Sequence, residues 1–272
     1  MQMPDTEGRQ NTLPGVTSIV AVSSGKGGVG KSTVSVNLAV ALAKAGGRIG
    51  LLDADIYGPN VPGMLGVHQE PVVEDGKIHP VEAFGVKMMS LGLVAGEDTP
   101  IIWRGPIVGK IIQQFLVDVL WGDLDHLVVD LPPGTGDAQL TLSQSVPLSG
   151  AVIVTTPQDV ALEDVTRSVA MFNTVDVPVL GVVENMSHFV CPCCGDRAPL
   201  FGEGGGERIA AQFDIPLLSQ IPLLPEICAG GDSGSPIAAS DSPQAEAFSE
   251  LAAQVKARID ALGDELPEIS IS

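Results

Sequence analysis

An α/β fold, with a mostly parallel sheet and helices on both faces, is predicted by three features of this sequence. Short β-branched runs alternate with helical stretches along the chain. One strand–helix junction carries Gly25-Lys26-Gly27-Gly28-Val29-Gly30-Lys31-Ser32, which fits G-x-x-x-x-G-K-[ST], the phosphate-cradling P-loop. Acids close two further strands, as Asp53-Ala54-Asp55 and Asp130, at the carboxyl ends where ligands of such sheets sit.

The elements follow in order. Residues 17–23 (TSIVAVS) are a buried parallel strand. Beyond the loop, Val34, Leu38 and Leu42 recur every four residues along a helical face, and Gly46-Gly47 stops that helix. Residues 48–52 and 87–93 read as strands. Ile107, Val108, Ile111, Ile112, Phe115 and Val119 form a wide apolar helical stripe of core type. Strands are predicted at 126–131, 151–155 and 179–183, with a helix over 159–174 between the last two. A final helix over 243–262 puts Phe248, Leu251, Val255, Ile259 and Leu262 on one face. The expected organisation is a flexible tail at 1–15, a single P-loop NTPase domain at 16–264 and a C-terminal tail at 265–272.

The loop predicts its own chemistry. Glycines let successive backbone N–H groups turn toward phosphate oxygens. Lys31 reaches the β- and γ-phosphates and the Ser32 hydroxyl holds Mg²⁺. Gly25, Lys26, Gly27, Gly28, Val29, Gly30, Lys31, Ser32 and Thr33 are thus the candidate ATP contacts. Asp130, after Leu127-Val128-Val129, reads as a second Mg²⁺ ligand; the alternative is a turn-capping aspartate. Pro132-Pro133-Gly134-Thr135-Gly136-Asp137 follows as a switch-like loop. Asp53 and Asp55 point the same way on an extended segment. Asp55 is assigned to positioning the attacking water and Asp53 to support.

Four cysteines are present, Cys191, Cys193, Cys194 and Cys228. Cys191 and Cys194 form C-x-x-C, a spacing for two thiolates on one metal or cluster; zinc bridging and a redox dithiol are the rivals. The pair is expected in a loop after Asn185-Met186-Ser187-His188-Phe189-Val190. Two thiolates do not complete a four-thiolate site, which points to a homodimer donating one pair from each subunit. Cys193 is a spare ligand or a bystander, and Cys228 a small buried residue.

Composition narrows the partners. Fourteen Lys+Arg against 33 Asp+Glu give a net charge of −19, a surface that repels nucleic acid and anionic membrane. Such a surface suits either a salt-rich cytoplasm or simply an acidic protein. No apolar run spans a bilayer and residues 1–15 lack a signal core, so a cytoplasmic protein is expected. Gly231-Asp232-Ser233-Gly234-Ser235-Pro236 looks like a serine-protease stretch, but a triad needs His and Asp partners in an unrelated fold, so Ser233 is a loop residue.

The second lysine, Lys26, makes the loop resemble the deviant form of MinD, ParA and the nitrogenase iron protein. Asp53-Ala54-Asp55-Ile56-Tyr57-Gly58-Pro59-Asn60, Trp103-Arg104-Gly105-Pro106, Asp130-Leu131-Pro132-Pro133-Gly134-Thr135-Gly136-Asp137, Glu184-Asn185-Met186-Ser187, the cysteine loop and Phe201-Gly202-Glu203-Gly204-Gly205-Gly206 stand in the order of the Mrp/ApbC-type iron–sulfur cluster carriers. The resemblance spans about residues 16–240. It implies a homodimeric ATPase that holds a [4Fe–4S] cluster at the subunit interface and passes it to apo iron–sulfur proteins. By position, it implies that Cys191 and Cys194 bridge the cluster, Lys26 reaches the partner's nucleotide and Asn185 meets the adenine. Cys193 stands where the family pattern has another residue. A MinD/ParA-like positioning ATPase acting on membrane or DNA is the alternative, disfavoured by the acidic surface.

Overall fold

The computed structural model describes residues 11–13, 15–55, 58–95, 105–263 and 270–271. Ile56, Tyr57, Trp103 and Arg104, and most of both expected tails, lie outside them. Of the tails, Asn11–Thr12 pairs antiparallel with Ser270–Ile271.

The main elements are β1 (Val16–Ser23), α1 (Lys31–Lys44), β2 (Ile49–Asp53), β3 (Val81–Ala83), β4 (Val86–Ser90), α2 (Gly105–Asp118), β5 (Leu124–Asp130), α3 (Asp137–Ser145), β6 (Gly150–Thr155), α4 (Asp159–Thr174), β7 (Val179–Val190), β8 (Arg197–Ala198), α5 (Gly205–Phe213), β9 (Leu217–Leu223), α6 (Pro225–Asp232) and α7 (Glu246–Leu262). They build a nine-stranded sheet in the order β8-β7-β6-β1-β5-β2-β4-β3, with β9 also paired to β7. The pairings of β1, β2, β4, β5, β6, β7 and β9 are parallel. Only the short β3 and β8 run antiparallel.

Alternation along β1 explains the two helical layers. Val20 and Val22 face the core formed with α1 and α7, where Leu38, Leu42, Phe248, Leu251 and Val255 are buried. Ile19 and Ala21 face the other core, with Ile112 and Phe115 of α2, Val165 and Phe172 of α4 and Ile209 of α5. Period-two side chains on a sheet covered on both sides produce this split.

Three expectations change. Helix α1 is no one-sided amphipath: Val34, Leu38 and Leu42 are buried, but so are Val36, Asn37 and Val40, because the helix is clasped between the sheet and α7. The strand read at 179–183 runs on to Val190, so Asn185–Val190 is the second half of the 12-residue β7. Its register against β9 shifts between Asn185 and Phe189, and Met186 takes a left-handed φ of 56°, a polar, irregular continuation that hydrophobic periodicity does not register. The final helix begins with a 3-10 turn at Pro243–Ala245 before α7.

Registry places the site. Val22 pairs with Asp130 and Asp53 pairs with Asp130. The glycine loop and both acidic strand ends therefore meet at one level of the sheet edge.

Candidate nucleotide and thiolate sites

The loop after β1 opens into a cavity of about 550 Å³. Gly27, Gly28, Gly30, Lys31, Ser32 and Thr33 line it from the loop, and Asp55 from the end of β2. Gly25, Lys26, Val29 and Asn185 are not among its walls.

The floor is a tight charge cluster. Lys31 is 6% exposed, and its Nζ lies 2.8 Å from Asp130 Oδ1 and 3.6 Å from Asp55 Oδ2. Ser32 Oγ donates to Asp130 Oδ2 at 2.7 Å and Ser35 Oγ to Oδ1 at 2.6 Å. The buried carboxylate of Asp130 is thus fully partnered, as a charge out of water must be. A hydroxyl and a carboxylate side by side, with only oxygen donors, fit a hard cation such as Mg²⁺ that keeps most of its own waters.

Asp53 and Asp55 diverge. Asp55 faces the cavity, while Asp53 is fully buried, accepting the Asp55 N–H at 3.1 Å and the Ser90 hydroxyl at 2.9 Å. Burial first, and the charge of Asp130 second, push the Asp53 carboxyl up to about 8. Asp53 thereby fixes the backbone from which Asp55 projects.

Asn185 sits under the glycine loop. It is buried, and its Nδ2 donates to the Val29 carbonyl at 2.8 Å. Gly30 has φ 82°, and a Cβ there would lie 2.2 Å from that same Nδ2. Only glycine allows the loop and the amide to approach this closely.

Asn60, after Asp55, and Pro133, in the switch-like loop, also line the cavity, and so do residues not legible as site residues: Met64, His68, Gly231, Asp232 and Ser233. The protease-like run is therefore a wall of this cavity. Its Gly234 has φ 69°, and a Cβ would come within 2.4 Å of Gly66 Cα, so the glycine serves a backbone crossing.

The thiols lie apart from this cavity, in the turn that leaves β7. Cys191 is half-buried, whereas Cys193 and Cys194 are exposed. The turn closes through Cys191 N–H to the Asp196 carbonyl at 2.9 Å and Gly195 N–H to the Cys191 carbonyl at 2.8 Å. Backbone N–H groups of Cys194 and Cys193 point at the Cys191 sulfur and hold its thiol below its ordinary pKa, which favours the thiolate that ligates metal. The Cys194 thiol donates to Asp196 Oδ2 at 3.2 Å. Cys228, expected to be buried, is exposed on the short helix α6, with its sulfur 3.7 Å from Asp232 Oδ2.

The chain has relatives among known proteins. The family model of ParA-type proteins, described as NUBPL iron-transfer P-loop NTPase, matches residues 15–256. An iron-sulfur cluster carrier protein of Aquifex aeolicus is 53% identical over 245 residues, covering 88% of this chain and 67% of the relative. An Arabidopsis thaliana iron-sulfur protein required for NADH dehydrogenase, mitochondrial, is 54% identical over 247 residues, covering 89% and 79%. Among solved structures, a nucleotide-binding protein of Archaeoglobus fulgidus in complex with ADP superposes with a TM-score of 0.77 at 39% identity, covering 87% of this chain and 93% of that one.

Proposed function

The chain belongs to the ParA/NUBPL family of iron-transfer P-loop NTPases, and from that premise we propose that it is an ATP-hydrolysing carrier of an iron–sulfur cluster. The cluster is cargo, a [4Fe–4S] unit shared by two copies of the chain and delivered to apo iron–sulfur proteins. One observation carries this reading. The strand that buttresses the glycine loop at Asn185 ends directly in a turn whose N–H groups favour a Cys191 thiolate.

The chain's residues divide the ATPase work. Backbone N–H groups of the loop bind the phosphate oxygens, and the helix that starts at Lys31 adds its positive end. The Lys31 ammonium, held by Asp130 and Asp55, is placed to move onto the β- and γ-phosphates. Ser32 and Asp130 would hold Mg²⁺, which when bound neutralises charge building on the phosphates. Asp55 positions the water that attacks the γ-phosphorus, giving ADP and phosphate. Asn185 is assigned to the adenine side of the loop. Lys26 does not line its own chain's cavity, which leaves it for the nucleotide of a second copy.

The cargo half follows from coordination number. Cys191 and Cys194 supply two thiolates, and a four-iron cluster takes four. A twofold pair of chains supplies them.

The test is anaerobic reconstitution of the wild type and the Cys191→Ala/Cys194→Ala variant. Iron and sulfide should bind to the first, near four of each per dimer, and not to the second. Equal loading of both removes the cargo claim. Lys31→Ala should abolish ATP hydrolysis, and normal turnover by that variant removes the enzymatic one.

A further inference from the structure

Three consecutive residues, where β1 hands over to the glycine loop, are held by the segment that follows Asp130. The Val22 carbonyl accepts the Leu131 N–H at 3.0 Å, and the Ser24 carbonyl accepts the Gly134 N–H at 2.9 Å. Between them, Ser23 Oγ accepts from the side-chain Nε2 of Gln139. The first two are backbone bonds; the third depends on one side chain.

Gln139 is the third residue of α3, whose N-cap, Gly136, receives no side-chain bond. A glutamine at this place can turn back to cap its own helix. This one reaches across 116 residues of sequence to β1 instead. Gln139 is 1% exposed and Ser23 is fully buried. Among the described residues Gln139 Oε1 has no partner. Turned over, the amide would accept the Ser23 proton and leave Nε2 without a partner, so one half of it is unmatched in either orientation. A half-matched buried amide costs stability that an apolar side chain of the same length would keep. What the amide does, and an apolar chain cannot, is tie Ser23 to α3.

Position matters at this junction. Ser24 Oγ donates to the Lys26 carbonyl at 3.0 Å, so the turn of the glycine loop starts at residue 24. Ser24 and Pro133 both line the nucleotide cavity, and Gln139 does not. The Gly134 N–H is already given to Ser24, so a γ-phosphate that drew the switch-like loop in would take that donor from Ser24. Gln139, in the first turn of the helix behind the loop, is then the tie that remains.

We infer that Gln139 is a positioning residue of the ATPase: without touching nucleotide, its bond to Ser23 sets the spacing between the glycine loop and the switch-like loop for the hydrolytic step. This rests on the ATPase half of the proposed function and not on the thiols.

Gln139→Met keeps the length of the side chain and removes the bond. Ser23→Ala/Gln139→Met also removes the hydroxyl that the single variant orphans. Thermal melting, ADP affinity by titration calorimetry and ATP turnover would be measured for both beside the wild type. Both should melt cooperatively and bind ADP within ~2-fold of wild type, while kcat falls by ~10-fold or more at little change in KM for ATP. A double variant with wild-type kcat would reduce Gln139 to packing and overturn the inference. So would ADP affinity that falls in step with kcat, or loss of cooperative melting in both variants, since either makes the tie structural. A wild type that hydrolyses no ATP removes the ATPase reading and the role of Gln139 with it; turnover shared undiminished by the variants removes only the latter.

Discussion

Gly30 and Asn185 compete for one small volume, and the glycine loop keeps its shape only because position 30 has no side chain. Gly30→Ala adds a Cβ at 2.2 Å from the Asn185 amide, in a left-handed backbone that L residues resist. The variant should lose ADP affinity by at least ~10-fold in titration calorimetry, about 1.4 kcal/mol, as the loop moves off its phosphate-binding shape. A second residue-scale consequence concerns Asp53. Its carboxyl is raised to about 8 by burial and by Asp130, while the unfolded chain titrates near 4. Between those values the folded state binds the extra proton, so stability falls as pH rises from about 4 to about 8 and is flat above. Asp53→Asn keeps an acceptor for the Asp55 N–H and carries no charge. In urea titrations without Mg²⁺, this variant should show a shallower pH dependence and gain on the wild type at pH about 8. An unchanged slope would mean that Asp53 is ionised in the folded protein.

Element by element, helix α1 is the most deeply held piece, and Leu38 at its centre is fully buried between the sheet and α7. Leu38→Ala should cost about 2–5 kcal/mol, read as a lower urea midpoint with an unchanged slope. The helix over 159–174 was legible to the residue, because its apolar repeat is regular and strands bound it on both sides. Helix α1 was legible in position but not in environment, since Asn37 and Ser35 are polar yet buried. They are satisfied partly by partners distant in the chain: Asn37 Nδ2 donates to the Thr33 carbonyl, but its Oδ1 accepts the Ala238 N–H and Ser35 donates to Asp130. The far half of β7 was hidden for a different reason. Its polar residues, and the left-handed turn of the chain at Met186, break the period of two on which strand reading rests. Strand β9 escaped because Pro216 and Pro222 flank and interrupt it, and proline argues against an interior strand until the partner is known.

For the molecule as a whole, the glycine loop, Asp55 and Asp130 were readable because each lies at the end of a buried parallel strand, and the register then brings them together. The walls supplied by Met64, His68 and Asp232 were not, because long-range chain crossings such as Gly66 on Gly234 put them there. The −19 charge acts at this scale too. Mutual repulsion across the surface is screened within a few ångströms at molar salt. The melting temperature should therefore rise in ~2 M KCl relative to ~0.05 M, by about 2–4 °C per kcal/mol relieved; calorimetry showing no rise would leave the acidity without a stabilising response to salt. Finally, β7 works as a spacer of set length. Six steps of about 3.3 Å part the amide beneath the loop from the first sulfur, roughly two nanometres of continuous backbone. Removing one residue from that span would leave every motif in the sequence but move Cys191 along and around the ribbon relative to Asn185, so under the proposed function a chain with all its motifs intact would no longer offer its sulfurs where a second copy meets them.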